Sequence, residues 1–297
     1  TDPLGALPLL RGTIHSSDQL LRESKDPLPA LFYYNYGLAL FELGRLEQDE
    51  EFEAFLDASE ERLEEAKEKE TTELLLNKIE LVLSKVWFSK AGIQLTEEEE
   101  EVPELAELAL EKIRQAKMDT KQMLEWADIV LHHGALYSDI ETRKKFISWA
   151  EETLKKILKD EPSHPQALTG LGLCRLQIAH YWLDKAADEE EEEEDEEEEK
   201  TELNKEEEEA YKIILESKEY LELARKEYIK QDALMPQILA DLGEIYLNEA
   251  NLVLDQEKQN EIYAKTVDVI KEAEKIIQEK NLEYELPEIL IEFVQEQ

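Results

Sequence analysis

A single cysteine, Cys174, occurs in the chain, so no disulfide can close within it. That scarcity fits a reducing compartment, cytosol or nucleus. Cations are also in short supply: Lys and Arg number 34 against 74 Asp and Glu, a formal charge of −40. A surplus of this sign repels phosphate backbones and anionic lipid headgroups. Direct nucleic-acid and membrane partners are therefore argued against, and basic protein surfaces favoured. No apolar run approaches the ~18 residues of a membrane span. Glycine and proline occur nine times each in 297 residues, and clusters of β-branched residues with period-two alternation are missing. Strands are not expected, and the chain reads as all helix.

Catalytic signatures are missing too. The histidines are His15, His132, His133, His164 and His180. None forms an HExxH motif or the His-x-Asp pair that seeds a non-haem iron site. His132 and His133 are adjacent, cannot share one helical face, and read as a helix end near a turn. His180 and Asp184 stand four apart and could bond each other or a metal; among so many acids the pairing reads as structural. Nucleotide-binding and acyl-hydrolase glycine motifs are absent. Cys174 reads as a buried apolar residue. Trp87, Trp126, Trp149 and Trp182 fall at apolar helical spacings and read as core packing. No enzyme, metal or cofactor is expected.

What the chain does carry is a degenerate helical repeat. Ala150, Leu154 and Pro162 match the second half of a tetratricopeptide repeat, and Leu168, Leu171 and Gly172 match the first half of the next, at a period of about 34 residues. Ala224, Tyr228 and Pro236 repeat the first spacing, followed by Leu239, Leu242, Gly243 and Tyr246. Near the start, Tyr33, Tyr36, Gly37 and Leu40 take first-helix positions. A small residue lets two antiparallel helices cross closely, and proline stops one helix before the turn.

Residues 1–12 are rich in Pro and Leu and are expected to be extended, with a short helix over 13–23. The predicted helices then cover 30–46, ended by Gly44, followed by 50–69, 71–93, Pro103 to about Lys117, 121–134 and 138–160. A pair over 165–187 and 203–230 follows. Helices at 239–246 and 257–280 form the last pair, and 285–296 caps the open end. Glu97–Glu101 reads as a loop. The expectation is an all-α, irregular tetratricopeptide-like helical-repeat superhelix of about five hairpins with capping helices. It forms a single domain over 1–297, with a disordered acidic insertion at 188–202.

Stacked hairpins expose the first helix of each pair, a surface suited to proteins or peptides. The candidate partner-binding residues on it are Tyr34, Gln166, Thr169, Gln237, Asp241 and Glu244. None is basic, and Asp241 would repel a carboxylate, so clamping of an acidic C-terminal peptide is argued against.

The opening, LPLLRGTIHSSDQLLRESKDPLPALFYYNYGLALFELGRL (Leu7 to Leu46), resembles the N-terminal repeat region of a fungal family. Its members include the enhancer of translation termination and a nuclear import adaptor that negatively regulates a 2-oxoglutarate-dependent, prolyl-hydroxylase-like dioxygenase. The resemblance implies a non-catalytic adaptor that binds such a dioxygenase and, in some members, an import receptor, in the nucleus, the cytoplasm or both. The family's basic N-terminal import signal has no counterpart here, since Thr1 to Arg11 holds one basic residue. Either that segment precedes Thr1 or this member lacks it. The alternative reading is an acidic carrier for basic proteins such as ribosomal proteins or histones, using Asp188–Glu199.

Overall fold

A computed structural model describes residues 3–47, 51–70, 72–95, 102–192 and 201–296. Among these residues the chain is all-α, with no strand, and it divides into two compact units, Thr1–Met118 and Asp119–Gln297. The loop expected at Glu97–Glu101 and most of the acidic run fall outside the described residues.

The first unit holds α1 (Pro3–Glu23), α2 (Ala30–Glu47), α3 (Phe52–Lys69), α4 (Glu73–Gln94) and α5 (Glu104–Gln115). Here α2 pairs with α3, α4 pairs with α5, and α1 packs on α2. The extended segment expected over 1–12 is instead helical from Pro3, continuous with the helix expected to begin at Thr13. Pro3 stands at the start of that helix, where a missing N–H costs nothing, whereas Pro8 lies inside it and forgoes the bond to the Leu4 carbonyl. Arg11 pairs with Glu47, and Tyr36 donates to Asp18, fastening α1 to α2. Nor does Gly44 end its helix: α2 continues to Glu47, and Gly44 is buried where α3 brings Phe52 and Phe55 against it. Its work is close approach rather than termination. α5 stops short of Lys117 because Asn77 captures that residue's backbone, accepting from its N–H and donating to its carbonyl, both at 2.9 Å.

The second unit holds α6 (Thr120–Ala135), α7 (Ile140–Asp160), α8 (Pro165–Glu192), α9 (Lys205–Lys230), α10 (Pro236–Asn251), α11 (Gln256–Lys280) and α12 (Glu288–Glu296). Three hairpins, α6/α7, α8/α9 and α10/α11, follow one another, and α12 closes on α10 and α11 with Leu290 fully buried. The described residues thus form five helical hairpins with α1 before them and α12 after, as the repeat spacing predicts. Helix starts are set locally. Asp119 and Asn204 each make a capping box, with Gln122 and Glu207, and Asp139 and Asp255 cap α7 and α11. α8 runs five residues past Ala187, into the acidic run.

Two hairpins cross in the same way. Ser59 on α3 donates its hydroxyl to the Gly37 carbonyl on α2 at 2.8 Å, and Ser217 on α9 does the same to Gly172 on α8 at 2.7 Å. Four residues on, Leu63 and Leu221 lie against the bare backbone of that glycine. In α10/α11, Ile270 lies against Gly243 in the same way, but Thr266, four residues before it, donates to the Ile262 carbonyl of its own helix at 3.2 Å.

The tryptophans follow the core reading: Trp87, Trp126 and Trp149 are buried, and Trp182 is half-buried against the core. Cys174 is fully buried, and burial pushes its thiol far above the usual range.

Candidate functional site

The crossing glycines fix which side of each first helix faces away from its partner. With Gly172 and Gly243 turned inward, the outward side of α8 carries Gln166, Thr169, Gly170 and Leu173. That of α10 carries Gln237, Ala240, Asp241 and Glu244. On α6 the same spacing selects Leu124, Ala127, Asp128 and Leu131, with Val130 in the place of the glycine.

Between α6 and α8 these positions enclose a cavity of about 230 Å³, open on one side. Leu124, Ala127 and Leu131 form one wall, and Gly170 and Leu173 form the other. The floor is Leu154 of α7, which fits beneath Gly170 because a Cβ there would stand 2.8 Å from its Cδ1. Polar groups edge this aliphatic lining: the Asp128 carboxylate, the Gln166 amide, the Thr169 hydroxyl and the Tyr228 phenol of α9. Thr169 donates to the Pro165 carbonyl at 3.1 Å. Burial pushes the Tyr228 phenol up, a hydrogen bond with Thr169 opposes this, and the Asp241 charge adds to it. Gln177 donates to the Leu131 carbonyl at 2.9 Å and ties α8 to α6 beside the cavity.

Of the residues expected from sequence, Gln166 and Thr169 meet at this cavity. Gln237 and Asp241 are engaged with each other: the Gln237 amide donates to Asp241 Oδ1 at 2.7 Å. Asp241 is buried, its Oδ2 has no protein partner, and desolvation lifts its carboxyl to about 6. The Gln237 bond opposes that rise and the Glu244 charge reinforces it. Glu244 pairs with His180 Nε2 at 2.8 Å, joining α10 to α8. His180 therefore has its acidic partner on the next hairpin, not at Asp184 on its own helix. Tyr34 lies half-buried on α2 of the first unit, and burial raises its phenol.

The face is anionic because its helices contribute few cations, and most of those are turned elsewhere. α10 has no Lys or Arg. The two on α8 are occupied: Arg175 by Glu151 and Glu216, Lys185 by Glu206. α6 adds only Lys121, on its first turn. Asp128 is 63% exposed, with His132 of its own helix 3.4 Å away.

Leu124, Asp128, Leu131, Leu173 and Tyr228 were not picked out from sequence. Their signal was the outward spacing itself, but in α6 the glycine turned to the partner helix is Gly134, against Phe146 of α7, one turn beyond the place that Gly172 and Gly243 hold in α8 and α10. The site is an apolar recess whose rim carries one carboxylate, Asp128, beside an amide, a hydroxyl and a phenol. His133 stands apart from it, buried and bonded to the Tyr137 hydroxyl at 2.8 Å. Among the described residues no group of three or more His, Cys, Asp or Glu could hold a metal, and no helix is long and apolar enough to cross a membrane.

No family model matches the chain. It is 30% identical over 132 residues to the enhancer of translation termination 1 of Candida albicans, an alignment covering 40% of this chain and 31% of that relative. The corresponding protein of a second C. albicans strain matches to the same extent. The chain thus spans less than a third of the length of these curated relatives. Among solved structures, it is similar to the S. pombe nuclear import adaptor Nro1, with a TM-score of 0.55 and 20% identity over 98% of this chain and 92% of that one. A second crystal form gives 0.56 and 19%, over 98% and 89%. A further structure, described as the hypoxic regulator of sterol synthesis Nro1, a nuclear import adaptor, gives 0.57 and 19%, over 99% and 87%. The fold is therefore that of these helical-repeat proteins, and the resemblance to the translation-termination enhancers and the import adaptor holds. Neither comparison bears on the dioxygenase.

Proposed function

We propose that the protein is a non-catalytic adaptor that binds a partner protein through the outward face of α6, α8 and α10. The observation that carries this reading is the preformed apolar recess on the first-helix face, where helical repeats bind other macromolecules. By resemblance, the partner is a 2-oxoglutarate-dependent dioxygenase, with an import receptor as a second contact. The setting is hypoxic regulation, nuclear import or translation termination, in nucleus and cytoplasm. The names of the similar proteins, adaptor and enhancer, support this reading and speak against catalysis. Affinity purification with the full chain from native extract tests it. A stoichiometric protein partner is expected, and recovery of none would end the adaptor reading.

The charge of −40 supports a second reading, a carrier for basic proteins. Deleting residues 188–199 should then abolish binding to histones or ribosomal proteins at physiological salt. Unchanged affinity would rule the carrier out.

A further inference from the structure

Building on the adaptor reading, we propose that the α6/α8 cavity receives one bulky apolar side chain of a partner segment, with an adjacent Lys or Arg of that segment seated on Asp128. Size supports the apolar half. A dry cavity of about 150 Å³ lined by aliphatic groups holds benzene, and this one is about 230 Å³ with Leu124, Leu131, Leu154 and Leu173 around it. A leucine, methionine or phenylalanine side chain fills such a space, and gains the free energy of leaving water. Gly170 is what keeps the recess open, since any side chain there would meet Leu154.

Charge identifies the neighbour. On the outward positions of three successive first helices stand Asp128, Asp241 and Glu244, with no Lys or Arg among them. Arg175 and Lys185 are drawn away to acids on α7 and α9. An acidic segment would meet repulsion at Asp128 and Glu244, and a second copy of this chain would bring its own charge of −40. Asp241 is buried, and Glu244 is held at 2.8 Å by His180 of the neighbouring hairpin; Asp128, at the cavity rim and 63% exposed, has only the exposed His132 of its own helix at 3.4 Å, so it is the carboxylate an incoming cation reaches. Gln166 on the opposite rim supplies a free-standing amide, and Thr169 a hydroxyl oxygen whose proton goes to the Pro165 carbonyl.

The test uses the full chain with methyl-labelled leucine and three synthetic peptides of Gly and Ser around a central Lys-Leu-Lys, Lys-Ser-Lys or Glu-Leu-Glu. Lys-Leu-Lys should shift the methyl resonances of Leu124, Leu154 and Leu173; Lys-Ser-Lys should bind about tenfold or more weakly, and Glu-Leu-Glu about two- to fivefold more weakly, the more so at low salt. Asp128→Lys should remove the preference for Lys over Glu, and Gln166→Trp should block the mouth; both positions are exposed, so the chain keeps its fold. Equal shifts with Glu-Leu-Glu, or none of the three methyls moving with Lys-Leu-Lys, would overturn the proposal. Both variants can also be used in affinity purification. If they retain the wild-type chain's partner in full, this pocket assignment fails while the adaptor reading survives. If the wild-type chain captures nothing, it is the adaptor reading that fails.

Discussion

Adding one methyl group at Gly172 tests how the hairpins are held together. A Cβ at that position would lie 2.6 Å from Cδ2 and 2.7 Å from Cγ of Leu221, which is itself fully buried. The Cγ moves only with χ1, and Leu221 is fully buried with no room for another χ1 rotamer, so α9 must move. Overpacking of this kind costs about 1–3 kcal/mol. Moving α9 also stretches the 2.7 Å bond from Ser217 to the Gly172 carbonyl, worth about 1 kcal/mol. Alanine returns about 1 kcal/mol as the better helix former. Gly172→Ala should therefore destabilise by about 1–3 kcal/mol. At Gly12, where nothing stands within 4 Å, the same change should stabilise by about 0.5–1 kcal/mol. Urea unfolding followed by circular dichroism measures both, with tryptophan fluorescence as a second probe, since Trp126, Trp149 and Trp182 all lie in the unit that holds Gly172. The decisive comparison is a cycle with Leu221→Ala, which alone leaves a cavity and costs about 2–5 kcal/mol. The new methyl should fill part of that cavity, so the double variant should be more stable than the sum of the singles by about 1 kcal/mol or more. Additivity within about 0.5 kcal/mol would refute the idea that glycine and leucine meet at one crossing.

Three other outcomes follow from buried groups. Burial holds the His133 imidazole at about 4, below its ordinary 6.5, so its contribution is complete above 6.5 and lost as pH falls towards 4, about 3 kcal/mol in all. His133→Phe should flatten that slope in urea melts across the window, and an unchanged slope would show that His133 titrates freely. Asp241 has the opposite sign: its carboxyl is raised from 3.8 to about 6, so the folded state holds the extra proton and stability falls as pH rises through 6. Asp241→Asn should stabilise by up to about 3 kcal/mol at pH 7 and by little at pH 4, and a loss at pH 7 would contradict the burial of an unpaired oxygen. Cys174 is fully buried with its thiol held protonated, so Ellman's reagent should label it only at the rate of unfolding, and fast native labelling would be inconsistent with its place in the core.

Apart from the first turns of α1, the helices and their pairing were legible from their apolar periods, and the Ala, Leu and Pro spacings mark where one hairpin hands over to the next. What escaped the sequence was whatever depends on a residue of another helix. Gly44 looks like a terminator until Phe52 and Phe55 of α3 come down on it. Ser59 and Ser217 look like polar interruptions of an apolar stripe, yet each hydroxyl serves a glycine carbonyl 22 or 45 positions away. His180 has an acid four residues ahead, but α10 offers Glu244 instead. The recess was half legible: Gln166 and Thr169 follow from the register that Gly172 sets, whereas in α6 Val130 stands at that place and the glycine facing α7 is Gly134, one turn later. Tyr228 reaches the site from a second helix, which repeat spacing assigns to the buried side.

The distribution of cations links the fold to its proposed use. With 74 acids and 34 cations, helices laid side by side would repel unless the cations were placed at the seams between them, and that is where several stand. Lys90 of α4 reaches Asp57 and Glu60 of α3; Lys67 of α3 reaches Glu80 of α4. Lys218 and Arg225, both on α9, meet Glu249 of α10 and Glu272 of α11, each at 2.5 Å. Exposed pairs of this kind contribute little individually, but Glu249 is nearly buried, and removing Lys218 would strand its charge out of water. Cations committed to the seams cannot also serve the outward face of the first helices. The acidity of that face is thus a consequence of how the hairpins are joined, and a partner that supplies the missing positive charge completes a balance the chain leaves open there.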